Sequence, residues 1–196
     1  VKTGKESARH ITDSQLLEDI RGFCGQESQH YKCHRRLNEL LKANGYEELA
    51  EVEARMDEAW KRRMGHSLES RLAYSAGFES MTNGFTRWFI KKRINLFKNA
   101  DPYITSFWVM HMIEETEHKT VALDCYMAYS GRFLPRFFGV FCGSFDVLGW
   151  GMKAMFVMLK KDGKLKDPRT WLELSRELLS MVYHVGPFLL RALLPW

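Results

Sequence analysis

Hydrophobic positions along the chain recur at intervals of three, four and seven, and no stretch sustains the alternation of a half-buried strand. Read between the prolines, that period predicts a helix from about Ser14 to Ala43, capped by Thr12-Asp13 and closed by Asn44-Gly45. A charged helix follows over about 47–64 and a third over about 67–97. Asp101-Pro102 opens a fourth, expected to run unbroken to Gly131. An aromatic helix from Pro135 to about Lys161, a Lys/Asp/Gly-rich hinge and a last helix near 169–194 complete an all-α chain. The predicted organisation is a helical core over 1–131 carrying the chemistry. Apolar C-terminal helices over 132–196 close the bundle, pair with a second copy or lie on a membrane surface.

Polar residues interrupt the stripes where apolar ones are expected. In the first long helix, one face reads Ile20, Phe23, Cys24, then Glu27, His30, Tyr31 and His34, then Leu37 and Leu41. In the fourth it reads Ile104, Trp108, His111, Glu115, His118, Ala122, Cys125 and Tyr129. The third helix centres Glu79 among Tyr74, Ser75, Thr82, Asn83 and Thr86. A carboxylate in a buried stripe must pair, change its protonation state or bind a cation, because desolvating a lone charge is costly. Glu27-x-x-His30 and Glu115-x-x-His118 each aim one carboxylate and one imidazole at a common point. Two facing Glu-x-x-His helices, with single Glu residues from two others, form the dimetal carboxylate site of ferritin-like bundles. The alternative without metal is a buried His–Glu hydrogen-bond network. Ser75, Thr82, Asn83 and Thr86, with Tyr31, Trp108 and Tyr129, are the candidate pocket lining, or else ordinary helix packing.

At these residues the sequence resembles a bacterial family named predicted metal-dependent hydrolase. Gly25-Gln26-Glu27-Ser28-Gln29-His30 with His34 resembles its first block, and Trp108 through Lys119 to Asp124 its second. Phe78-Glu79-Ser80-Met81-Thr82 matches its central Glu. His111-x-x-x-Glu115-x-x-His118 is also similar to the diiron arylamine N-oxygenases, which carry an extra His in the last metal-binding helix. The resemblance implies metal ligation by Glu27, His30, Glu79, His111, Glu115 and His118, with His111 otherwise supporting a ligand or acting as acid or base. His34 and Glu114 are expected just outside the ligands, Glu114 orienting a His through its ring N–H. Asp124 is placed with them and paired to Lys119; Glu117 falls on the opposite helix face. A ferritin-like site wants one further Glu from a preceding helix. Glu6 misses the required level by roughly 12 Å at about 1.5 Å per residue, so the expected partner lies before Val1.

Carboxylate with neutral imidazole suits two irons, or manganese in one or both positions, better than structural zinc. Oxygen activation toward a small organic or lipid-like substrate is the leading expectation. Hydrolysis by the same two metals, or a non-catalytic helical protein that binds metal or membranes, stands as the alternative. The residues that perform catalysis are not legible in the sequence.

Composition narrows the partners. The 196 residues are 45% hydrophobic, enough for a core, and 29 Lys plus Arg against 24 Asp plus Glu leave +5. The runs at Lys61-Arg62-Arg63 and Lys91-Lys92-Arg93 read as solvated helix faces, not nucleic-acid contacts. From Phe133 to Leu159 stand six Phe and one Trp, but the run between Arg136 and Lys153 holds Asp146 and is short for a membrane span. Four cysteines at 24, 33, 125 and 142 without a C-x-x-C pair, and no evident signal peptide, lead to the expectation of a reducing, cytoplasmic setting, peripheral to a membrane at most.

Overall fold

The computed structural model describes residues 1–116 and 120–194. Its elements are all helical: α1 (Lys2–Ser7), α2 (Ser14–Ala43), α3 (Leu49–Met64), α4 (Leu68–Leu96), α5 (Pro102–Glu115), α6 (Val121–Tyr129), α7 (Phe133–Lys161) and α8 (Pro168–Ala192). Side-chain caps set four starts. Asp13 accepts from Leu16 N, Ser67 from Ser70 N, Asp101 from Tyr103 and Ile104 N, and Asp167 from Arg169 N. Pro102 and Pro168 sit at the first helical positions, where a missing N–H costs nothing. Gly45, at φ +100°, turns the chain out of α2.

The fourth expected helix is two. Thr116 N bonds Ile113 O at 3.0 Å and its hydroxyl donates to the same carbonyl at 2.7 Å, a tightened turn that closes α5 at Glu115. A new helix starts after Thr120. Glu117, His118 and Lys119 lie outside the described residues.

α4 is the central helix and is buried on every side, packing on α1, α5, α6, α7 and α8. Its lower half enters an apolar cluster with Ile20, Cys24, Leu72, Ala76, Cys125 and Tyr126. Its upper half enters another, with Trp88, Phe89, Met112 and Val185. Between them Glu79, Asn83 and Thr86 are buried polar side chains, so α4 carries a polar layer through the middle of the bundle.

α7 packs on α4 through glycine. A Cβ on Gly77 would lie 2.1 Å from the Gly139 carbonyl oxygen, and one on Gly143 would lie 2.4 Å from Phe78 N. Asp146 of α7 pairs with Arg63 of α3 at 2.5 Å, and Trp88 Nε1 donates to Ser180 Oγ of α8 at 3.1 Å. The C-terminal helices therefore share the core of the bundle. Among the described helices, α7 is long and apolar enough to cross a membrane by length and composition, beyond the short run expected from sequence. The face that α4 leaves uncovered exposes Leu134, Phe138 and Phe145.

Candidate metal centre

Three helices deliver the polar layer. α2 presents Glu27, His30 and His34 on successive turns, α4 presents Glu79, and the last turn of α5 presents His111, Glu114 and Glu115. Glu115 is the hub. Its Oε1 lies 3.3 Å from His30 Nδ1 and 3.0 Å from His111 Nε2. Glu27 Oε1 stands 3.3 Å from the same His30 nitrogen. The two imidazoles stack with centroids 4.3 Å apart and planes within 17°.

The outer nitrogens are engaged as well. His30 Nε2 is 2.7 Å from Glu114 Oε2, so a proton held there leaves Nδ1 facing Glu27 and Glu115. His111 Nδ1 is 3.0 Å from His34 Nε2, which leaves His111 Nε2 facing Glu115. Each inner imidazole thus turns one nitrogen inward and has the other fixed from behind.

Electrostatics separate the histidines. Hydrogen bonds donated to Glu115, then to Glu27, push the His30 imidazolium up to about 11 against the cost of burial, with Glu114 adding to them. Burial, with His111 and His30 as like-charged neighbours, lowers His34 to about 4, so it is neutral and able to accept from His111. In chelator-treated protein the two act in opposite directions. The unfolded chain protonates His34 near 6.5, so stability falls as pH drops from 6.5 toward 4. The stabilisation from charged His30 is complete below 6.5 and is lost as pH rises toward 11. Melting temperature against pH is expected to decline on both sides of near-neutral pH. His34→Asn should flatten the acid limb and His30→Gln the alkaline one; unaltered limbs would refute the assignment.

The donor set fits a divalent transition metal. One donor atom each from His30, His111 and Glu115 lies within 4.8 Å of the others, and all three residues are buried. Two inward imidazole nitrogens with a carboxylate between them match such an ion's preference for nitrogen and hard oxygen ligands. Glu79, also buried, is held from behind by the Thr82 hydroxyl, which donates to its Oε2 at 3.3 Å and its carbonyl at 3.1 Å. A cavity of about 620 Å³ opens on Glu27 and Glu79. Its apolar walls include Phe23, Leu72 and Phe78, with Trp60 and Lys61 contributed by α3.

Residues 1–195 match the family described as predicted metal-dependent hydrolase. The chain belongs to this family. No curated protein and no solved structure matches it. Membership in a metal-dependent family gives the buried His–Glu cluster its chemical meaning.

Several expected neighbours stand elsewhere. Tyr31 is 64% exposed, because one residue beyond His30 turns it about 100° away from the cluster. Tyr129, also exposed, meets His10 edge-on, and the Thr86 hydroxyl contacts Met112 Sδ at 3.5 Å. Ser75 does line the cavity, and Trp108 packs against His34 and His111. Asp124 is exposed on α6, where its electrostatic neighbours are Asp19 and Thr120, and its expected partner Lys119 lies outside the described residues, as does His118. Glu6, the off-level carboxylate, pairs with Arg71 at 2.8 Å. α3 is not simply solvated: Arg63 lies 3.6 Å over the Tyr74 ring. Sequence reading missed the α3 wall because its stripe is thin and its charges dense.

Proposed function

We propose that the protein is a metal-dependent hydrolase of small organic substrates bearing an apolar group. The observation that carries this reading is the placement of the His30–His111–Glu115 cluster beside a cavity lined by Glu27, whose carboxylate meets His30, and by Glu79. His30, His111 and Glu115 would hold one ion, and Glu27 and Glu79 would offer carboxylates to a second. When bound, the ions supply Lewis acidity that polarises a carbonyl or phosphoryl group and acidifies water near neutral pH. The chain's own residues do the rest. Glu114 and His34 keep His30 and His111 in register from behind. Phe23, Leu72 and Phe78 receive the apolar group and exclude water, which strengthens every charge interaction at Glu27 and Glu79. Lys61 offers a cation to an anionic substituent.

A second reading, oxidation by a diiron centre, draws support from the carboxylate-rich donor set, three Glu from three helices, which suits iron. The two separate in one experiment on protein loaded with zinc, manganese or ferrous iron. The hydrolytic reading expects metal-dependent cleavage of aryl esters or aryl phosphates, abolished by chelation and independent of oxygen. Oxygen uptake by the ferrous form without hydrolysis would overturn it in favour of oxidation. Ser75→Leu, which intrudes on the cavity, is expected to lower kcat/KM at least about tenfold with metal content unchanged.

A further inference from the structure

A second cavity, of about 280 Å³, lies between α4, α6, α7 and α8. Arg87 of α4, Arg136 of α7 and Arg191 of α8 converge on it, and among the described residues its lining contains no acidic side chain. Arg136 is only 6% exposed. Its Nη2 donates to Leu194 O at 2.7 Å, past the end of α8, and its guanidinium lies 5.6 Å from the Phe133 ring. Arg87 is exposed, with its guanidinium 5.6 Å from the Phe188 ring. Among the described residues no carboxylate lies within ion-pair distance of any of the three, whereas Arg63, Arg71 and Arg132 each have one. A guanidinium carries five N–H donors, and capping one carbonyl leaves most of them for another acceptor. Burying the Arg136 charge without a counter-ion is costly, and the exposed Arg87 and Arg191 add like charge at the same pocket.

We infer that this cavity is an anion site for a phosphate monoester. A dianionic monoester balances clustered guanidinium charge better than a carboxylate does, and its oxygens accept the paired N–H bonds that Arg presents. Val140 and Phe188 give the organic part an apolar wall. The monoester is either a free small phosphate or a phospholipid headgroup. Exposed Leu190 and Leu194, beside Arg191, supply apolar surface for the second source. Among the described residues, this cavity shares no lining residue with the one beside the metal centre.

The test compares metal-loaded wild type with an Arg87→Gln/Arg191→Gln double variant, both changes at exposed side chains. Calorimetry uses inorganic phosphate and glycerol 3-phosphate. Cosedimentation uses phosphatidylcholine vesicles with and without phosphatidic acid. The expected result is one phosphate bound by wild type beyond any the double variant retains, with affinity at this site at least about tenfold weaker in the variant. Binding of phosphatidic acid vesicles alone, lost in the variant, supports the site with a lipid source; binding of the soluble phosphates alone supports it with a free one. Equal binding by the two proteins, or none by either to any probe, overturns the inference. Arg136→Gln, if folded, should weaken binding at least as much, and the double variant decides if it is not.

Discussion

Glu115→Ala is expected to strip the protein of its metal. Glu115 is the carboxylate that both inner histidines face, at 3.3 Å and 3.0 Å, and at 6% exposure no water layer can replace its charge. Metal per chain, measured by elemental analysis after desalting, should fall at least about tenfold, since loss of even a supporting partner typically costs 10–100-fold in affinity. Stability should fall by about 1–3 kcal/mol and not by the full cost of stranding a buried charge, because Glu27 and Glu114 remain on His30. Glu115→Gln separates the two effects: it keeps the shape and removes the charge, so the fold should persist while metal is lost. Glu27→Ala should also lose metal. Glu114→Ala should lower affinity without abolishing binding, because it acts through His30. Glu18→Ala, at an exposed position of α2, should bind normally. Wild-type metal content in Glu115→Ala would sink the assignment.

That grading shows how far the site was legible. Glu-x-x-His on one helix and His-x-x-x-Glu on another are statements about spacing, and the 3.6-residue period converts spacing into a shared direction. Glu27, His30, His111 and Glu115 therefore meet as their spacing implies, and Glu114, about 100° around from Glu115, reaches the outer nitrogen of His30. Helix starts were legible for the same reason, since Asp13, Ser67 and Asp101 act on N–H groups two or three residues away. What depends on distant segments was not. The cavity needs Trp60 and Lys61 to face Phe23 across the bundle, and the arginine pocket joins positions 87, 136 and 191. The break after Glu115 was hidden because Thr116 fits a helical pattern while its hydroxyl competes for the Ile113 carbonyl. Nor does any local pattern mark Gly77, Gly139 and Gly143 as the places where two backbones touch.

Gly77→Ala is accordingly expected to be among the most destabilising single-methyl changes available in this chain. The added carbon would lie 2.1 Å from the Gly139 carbonyl oxygen and 2.3 Å from its carbon, against backbone that no side-chain rotation can move aside. Gly139 presents the reciprocal case, with its Cβ 2.2 Å from the Ala73 carbonyl oxygen. Relief requires α7 to withdraw from α4 along their length, thinning the contacts of the central helix. A loss of about 3 kcal/mol is expected, at the upper end for overpacking, or roughly 6–12 °C in Tm for a chain of this size. Gly149→Ala is the counterpart: its Cβ meets nothing within 4 Å, so helix propensity alone should act, raising stability by up to about 1 kcal/mol. Calorimetric melting of the two variants checks both signs. Because Phe78 and Glu79 follow Gly77 directly on α4, withdrawal of α7 should also loosen the cavity wall and weaken metal binding, coupling fold to function. A Gly77→Ala protein that melts with wild type would mean that α4 and α7 do not approach backbone to backbone.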